Sequence, residues 1–227
     1  MVFLCALMAS AAFAAQSDLG DLGNNSESAI VPGHFPGTDD VITSQPFDYA
    51  ALQNGVGFSS GNSWVMADDI TPAGDAQITD IEIWDCYNGT QMTGLKVEIR
   101  ADGGSQPTGA ALYSFETTAI THTTTGLYAW GSYELIDVVA TIEPASAYTP
   151  TPGTKVWFCL QATGCSGNAY WCACNQTWGD MSWFSTDNGA SWTSSQYNWG
   201  AAYEQFMILE GESALTADTW AGIKSSF

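Results

Sequence analysis

Basic side chains are scarce in this sequence. Only 4 Lys and Arg residues stand against 24 Asp and Glu in 227 residues, which gives a formal net charge of -20. Nucleic acids and anionic membrane surfaces attract proteins through a positive face, so the composition argues against both as partners. One arginine, Arg100, cannot form the arginine clusters that hold anionic substrates. Two histidines, His34 and His122, are too few for a multi-histidine metal site.

A membrane-spanning run is also missing at the N-terminus, because the apolar stretch from Met1 stops at Gln16 and a span needs about 20 residues. Residues 1–14 instead fit a signal peptide, in which an apolar run leads to the small-residue cleavage pattern Ala12-Phe13-Ala14. We therefore predict a protein that is secreted or held on a bacterial cell surface, with its mature chain starting near Ala15.

Cysteines are few, but they are clustered. After removal of Cys5 with the leader, the mature chain keeps Cys86, Cys159, Cys165, Cys172 and Cys174. In an exported protein such a cluster predicts disulfides. We expect Cys165 to pair with Cys172 or Cys174, and Cys86 or Cys159 to take part in a second bridge, with one thiol left over.

Short apolar runs separated by turn residues predict an all-β fold. The run from Gly94 to Arg100, GLKVEIR, alternates apolar and charged side chains, as expected for a strand with one face in a core. We predict one antiparallel, jelly-roll-like β-sandwich over residues 47–211, since no stretch before residue 212 shows a convincing helical period. A flexible acidic linker over residues 15–46 precedes it. A short, partly helical tail over residues 212–227 follows and is expected to serve sorting, docking or attachment, unless it is only a frayed terminus.

One local pattern is specific. The stretch from Ser185 to Trp192, STDNGASW, matches the Asp-box, S-x-D-x-G-x-[ST]-W. We expect Asp187 to accept backbone N–H groups, Gly189 to take a positive φ, and Trp192 to pack beneath the turn. Ser185, Asp187, Gly189 and Trp192 are therefore predicted to be structural residues of a hairpin.

Aromatic residues crowd the stretch from 170 to 199, which is also rich in amides and hydroxyls. Sugar rings stack on aromatic faces and hydrogen-bond to flanking amides, so exposed rings here would suit a glycan. The candidates are Trp178, Trp183, Tyr197 and Trp199, although about half of such rings are expected to fill the core.

Acidic residues suggest two further sites. The adjacent Asp68 and Asp69 offer oxygen ligands of the kind that calcium prefers, and no other cofactor is expected. Asp80, Glu82 and Asp85 lie around Trp84 and resemble the acidic strand of jelly-roll glycosidases, but their spacing does not match that pattern. A glycosidase using Glu82 is therefore only an alternative, and we predict no catalysis.

Residues 47–211 as a whole resemble jelly-roll-like β-sandwich modules of secreted bacterial surface proteins. The resemblance rests on the opening Met66-Ala67-Asp68-Asp69-Ile70, on the strand from Ile78, on Pro152 to Phe158, and on the late Asp-box. It implies a non-catalytic module that binds an extracellular glycan or matrix. The competing hypothesis is a structural protein that associates with copies of itself.

Overall fold

Two antiparallel sheets pack face to face in the computed structural model, which describes residues 40–176 and 178–212. The first sheet has eight strands: β1 (Asp40–Gln45), β2 (Leu52–Gly57), β4 (Gln77–Gly89), β7 (Ile120–Ala129), β8 (Tyr133–Thr141), β10 (Gly167–Cys174), β13 (Glu204–Gln205) and β14 (Met207–Glu212). The second has six: β3 (Val65–Ile70), β5 (Gly94–Asp102), β6 (Pro107–Thr117), β9 (Val156–Thr163), β11 (Trp183–Ser185) and β12 (Thr193–Ser194). The predicted all-β sandwich is confirmed.

Alternation along the strands builds the core between the sheets. On β5, Leu95, Val97 and Ile99 are buried. Ile81 and Ile83 of β4 contribute to the same apolar cluster from the first sheet. Each such side chain contributes about 1.5–3 kcal/mol when it is fully buried, so the period-two pattern selects which face of each strand turns inward.

The outer faces of both sheets are covered as well. On the first sheet, the ring of Phe47 stacks on Trp84 with centroids 3.9 Å apart, and Phe206 packs edge-on against Phe47. On the second sheet, Trp157 and Cys159 form a smaller apolar cluster. Many of the aromatic side chains therefore serve packing, as the composition led us to expect.

The ends of the domain differ from the sequence prediction in one respect. Strand β1 lies within residues 15–46, which we had assigned to the linker, and it pairs with β14. It forms there because β14 offers a free edge to residues 40–45. The predicted signal peptide (1–14), most of the linker and the tail beyond Glu212 lie outside the described residues.

One short helix was not expected. Helix α1 (Ser195–Trp199) starts where the Ser194 hydroxyl accepts the N–H of Tyr197 and ends at Gly200 in the left-handed conformation. The sequence did not indicate this helix, because five residues are too few to show a helical period. Among the described residues, no helix has the length and apolar character needed to cross a membrane.

The predicted disulfides are not formed. Within the described part of the chain, the five cysteines are free thiols. Cys165 lies in the β9–β10 connection, whereas Cys172 is the sixth residue of β10, about 16 Å along an extended strand from its start. A disulfide needs Cα atoms within about 7 Å. Cys159 lies in the outer cluster of the other sheet, away from Cys86, Cys172 and Cys174. Cys86 does lie beside Cys172, but the two thiols are not bridged.

Candidate functional site

A polar cleft of about 420 Å³ opens beside the end of β3. Its walls come from the end of β1, the end of β3, the residue before β9, and the connection from β10 to β11. The lining residues are Gln45, Asp69, Ile70, Thr71, Lys155, Trp178, Gly179 and Asp180. We call this the acidic cleft.

Three buried carboxylates gather at the cleft. Asp68 and Asp69 come from β3 and Glu204 comes from β13, and each offers an oxygen that lies within 4.8 Å of the others. Their exposed fractions are 0%, 3% and 3%. Because β3 and β13 belong to different sheets, this acidic triad joins the two halves of the sandwich.

Backbone N–H groups hold the triad in place. The carboxylate of Asp68 accepts the N–H of Asp69 at 3.0 Å and that of Gln205, which belongs to the opposite sheet. The carboxylate of Asp69 accepts the N–H of Asp180 at 2.6 Å. Oε2 of Glu204 accepts no hydrogen bond from any described residue. The triad is therefore positioned by the backbone, and one of its oxygens has no partner.

Gly179 lets the loop approach Asp69 closely. A Cβ atom on this residue would lie 2.6 Å from both carboxylate oxygens of Asp69. Every residue other than glycine would therefore push the carboxylate or the loop away. The Trp178-Gly179-Asp180 segment fits against the triad only because its middle residue has no side chain.

Burial raises the pKa values of the triad. Burial, followed by the charge of Asp69, raises the pKa of Glu204 to about 8. Burial also raises the pKa of Asp69 to about 6, although the Asp180 N–H and Lys155 oppose the shift. The pKa of Asp68 is raised well above its usual value, again mainly by burial. Three carboxylates this close cannot all carry charge without a cation beside them.

Lys155 supplies the positive charge of the cleft, but most of it is already used. Its ammonium group contacts the carboxylate of Asp180 and lies 3.5 Å from that of Asp102. These acidic neighbours raise the pKa of Lys155. Lys155 therefore neutralises the outer rim of the cleft more than the triad behind it.

The four predicted glycan-binding aromatics do not form one surface. Trp178 lines the acidic cleft, where it packs edge-on against Phe206 with centroids 5.8 Å apart. Trp183 packs on the outer face of the second sheet and donates its Nε1–H to the Ser105 carbonyl at 2.8 Å. Trp199 packs edge-on against Phe184 at 5.3 Å, and Tyr197 is 77% exposed on α1.

The STDNGASW stretch forms the loop that joins β11 to β12. The carboxylate of Asp187 accepts the N–H of Ser191 at 2.8 Å and its hydroxyl at 2.6 Å, and these bonds lower the pKa of Asp187 to about 2. Gly189 has a φ of 83°. Arg100 donates to the Gly189 carbonyl at 2.9 Å and lies 5.4 Å from the centre of the Trp192 ring. These side chains are thus engaged in holding the loop.

The three acidic residues around Trp84 do not all share one face. Asp80 and Glu82 are even positions of β4 and lie on the same side of the sheet, whereas the fully buried Asp85 points to the opposite side. The Asp80 carboxylate accepts the Thr141 hydroxyl at 2.7 Å. Asp85 therefore cannot form one site with the other two.

The sequence predicted only part of the cleft and its triad. Asp68, Asp69 and Trp178 were singled out as candidates, but Glu204, Gln45, Lys155 and Gly179 were missed. Asp68 contacts β13 across 137 positions of sequence, and no local pattern encodes that proximity. The one available signal was an acid just before the apolar run from Phe206 to Leu209.

Searches for related proteins give no further guide. The chain matches no protein-family model, no curated protein and no solved structure. The function of the protein must therefore be inferred from the site itself.

Proposed function

We propose that the protein is a non-catalytic, secreted or cell-surface module that binds an extracellular glycan in the acidic cleft. The observation that carries this proposal is the position of Trp178 in the cleft, beside the carboxylates of Asp69 and Asp180 and the amide of Gln45. An aromatic face next to carboxylate and amide groups offers a sugar both a stacking surface and hydrogen-bond partners.

The size of the cleft supports a small ligand. Its volume of about 420 Å³ falls within the range of about 300–1,000 Å³ that is typical of small-molecule sites. Lys155 and Asp180 add donors and acceptors at the rim. A sugar unit with several hydroxyl groups would find partners on more than one side.

The position of the triad supports binding rather than hydrolysis. Glycosidases place two carboxyl groups on either side of the bond that is cleaved. Of the triad, Asp69 lines the cleft, whereas Asp68 and Glu204 stand behind the lining residues. A bond to be cleaved would not reach between these groups.

We expect Trp178→Ala to reduce glycan affinity at least about ten-fold, because it removes the stacking face of the cleft. A glycan array followed by titration calorimetry on the best binder would measure this loss. Tyr197→Ala is the matched control, since it removes a more exposed aromatic ring on α1. Equal losses in both variants, or no retention of any glycan by the unmodified protein, would contradict the proposal.

Self-association is a second candidate function, and the free edge of β7 favours it. In the described structure β7 pairs with β8 on one side only. Between Asp102 and Glu134 the sequence has one acidic residue, Glu116, and no Lys or Arg. Two copies of a chain with a net charge of -20 would meet least repulsion along this stretch.

The margin of the core near β7 is also incompletely covered. Tyr113, Phe115 and Ile120 are only partly buried where they pack against the core. Unpaired edge strands present open N–H and C=O groups that a second strand can use. A second copy pairing along β7 would cover this margin.

We expect Thr121→Lys/Thr123→Lys to weaken such a dimer about ten-fold or more, because lysines would face each other across the paired edges. Sedimentation equilibrium would measure the dissociation constant. Thr151→Lys/Thr154→Lys adds the same charge on an exposed loop and should leave it unchanged. A monomeric unmodified protein, or a dimer equally weakened by both pairs, would refute pairing through β7.

A further inference from the structure

We propose that the acidic triad, together with the side-chain carbonyl of Gln45, forms a binding site for one calcium ion. The three carboxylates supply oxygens from both sheets, all within 4.8 Å of one another. Calcium binds oxygen ligands at about 2.3–2.6 Å, so two ligands of one ion lie up to about 5 Å apart. The triad therefore has the dimensions of one calcium coordination shell.

Gln45 gives independent evidence of a ligand. Its side chain is 5% exposed and lines the same cleft as Asp69. Its Nε2 donates to the Asp69 carbonyl at 3.3 Å, whereas its Oε1 has no hydrogen-bond partner among the described residues. A buried carbonyl oxygen without a donor is destabilising. An ion at the cleft would satisfy this oxygen and the partnerless Oε2 of Glu204 together.

The charge balance of the ionised triad also favours a cation. Three carboxylates converge in a buried position, and the ammonium group of Lys155 is engaged by Asp180 and Asp102 at the rim. A divalent cation would offset most of the triad's charge, whereas an uncompensated buried charge is strongly destabilising.

Oxygen ligands of this kind select calcium over the other common divalent ions. Zinc favours nitrogen and sulfur ligands, and the triad offers carboxylates alone. Magnesium keeps several of its water molecules, for which a triad of at most 3% exposure leaves little room. Calcium accepts carboxylate and amide oxygens in flexible geometry.

Calcium at this position would fasten the two sheets and shape the cleft. It would link β3 to β13 directly. It would also fix Asp69, which accepts the N–H of Asp180 and touches Gly179. The inference concerns the same cleft as the proposed function, but calcium binding can be measured without a glycan. Failure of one therefore does not imply failure of the other.

The test uses the full chain after treatment with a chelator. Calcium should bind at one ion per chain by calorimetry, and an excess of about a hundred-fold over the dissociation constant should raise the melting temperature by about 5–10 °C. Magnesium and zinc chloride should produce much smaller shifts. No calcium shift, or a larger one with zinc, would overturn the proposal.

Three variants separate the ligands from their surroundings. Glu204→Gln removes one charged ligand at constant shape and should weaken calcium binding about a hundred-fold or more. Gly179→Ala changes none of the ligand residues but displaces the carboxylate of Asp69, so it should weaken binding as well. Asp85→Asn, the matched control, changes a buried acid that is not in the triad and should keep the calcium shift. Circular dichroism verifies the folding of each variant. An undiminished calcium shift in a folded Glu204→Gln protein would contradict the site.

Discussion

Chelator-treated protein should be more stable near pH 5 than near pH 8. In the folded chain burial holds the pKa of Asp69 at about 6 and that of Glu204 at about 8, against ordinary values of 3.8 and 4.5. Between these ordinary values and about pH 8, the folded state therefore binds more protons than the unfolded state. Stability must fall as the pH rises through this window, by up to about 1.4 kcal/mol for each unit of pKa shift.

Neighbouring charges both raise and lower the pKa values of the triad. Asp180 and Asp102 raise the pKa of Asp69, and Lys155 lowers it. Asp68 lies in the same triad and has the same direction of shift as Glu204. The decline with pH is therefore a property of the whole triad.

Urea unfolding at a series of pH values would measure the decline. Glu204→Gln should flatten it, because the amide does not titrate. The buried Asp85 also has a raised pKa, so it too makes the free energy of unfolding fall as the pH rises. Comparison with Asp85→Asn would separate its contribution from that of the triad. A stability that rises from pH 5 to pH 8 without calcium would show that the triad is ionised at neutral pH and that this prediction is wrong.

Trp171→Ala should be among the most destabilising single substitutions. Trp171 lies on β10 with no exposed surface and packs near Phe58, with ring centroids 6.1 Å apart. Its Nε1–H donates to the Phe206 carbonyl at 2.8 Å, which ties β10 to the segment between β13 and β14. Removal of a buried tryptophan costs about 3–5 kcal/mol.

The expected drop in melting temperature is about 6–20 °C for a chain of this size. Trp171→Phe keeps a ring but loses the hydrogen bond, so it should cost about 1–3 kcal/mol. Tyr197→Ala should stay within about 0.5 kcal/mol of the unmodified protein, because that ring is 77% exposed. A Trp171→Ala protein as stable as Tyr197→Ala would mean that β10 does not pass through the core.

Several features of the fold were predictable because they depend on neighbouring residues. The GLKVEIR run fixed the inward face of β5, since side chains alternate along every strand. The STDNGASW stretch indicated a tight loop, because short polar side chains and a glycine satisfy the turn locally. Helix α1 was missed because one turn carries no period.

The candidate site was less predictable because it is assembled from distant segments. Asp68 and Asp69 were visible as an adjacent pair, but Glu204 and Gln45 reach them through the packing of one sheet on the other. The cysteines show the same limit. Their proximity in sequence suggested bridges. In the structure, β10 leads away from Cys165, so Cys172 and Cys174 lie far from it. Cys159 lies on the outer face of the other sheet and is likewise kept away from the remaining cysteines.

By itself, the sequence determined the all-β class, the scarcity of positive charge and the residues that face inward on the clearest strands. These properties follow from composition and from the two-residue period of a strand. Only the tertiary structure decided that Trp178 lines a cleft while Trp183 and Trp199 pack against other rings, and that Glu204 completes an acidic triad. Contacts between the sheets join residues more than a hundred positions apart, as Asp68 and Gln205 are, and no local pattern specifies them.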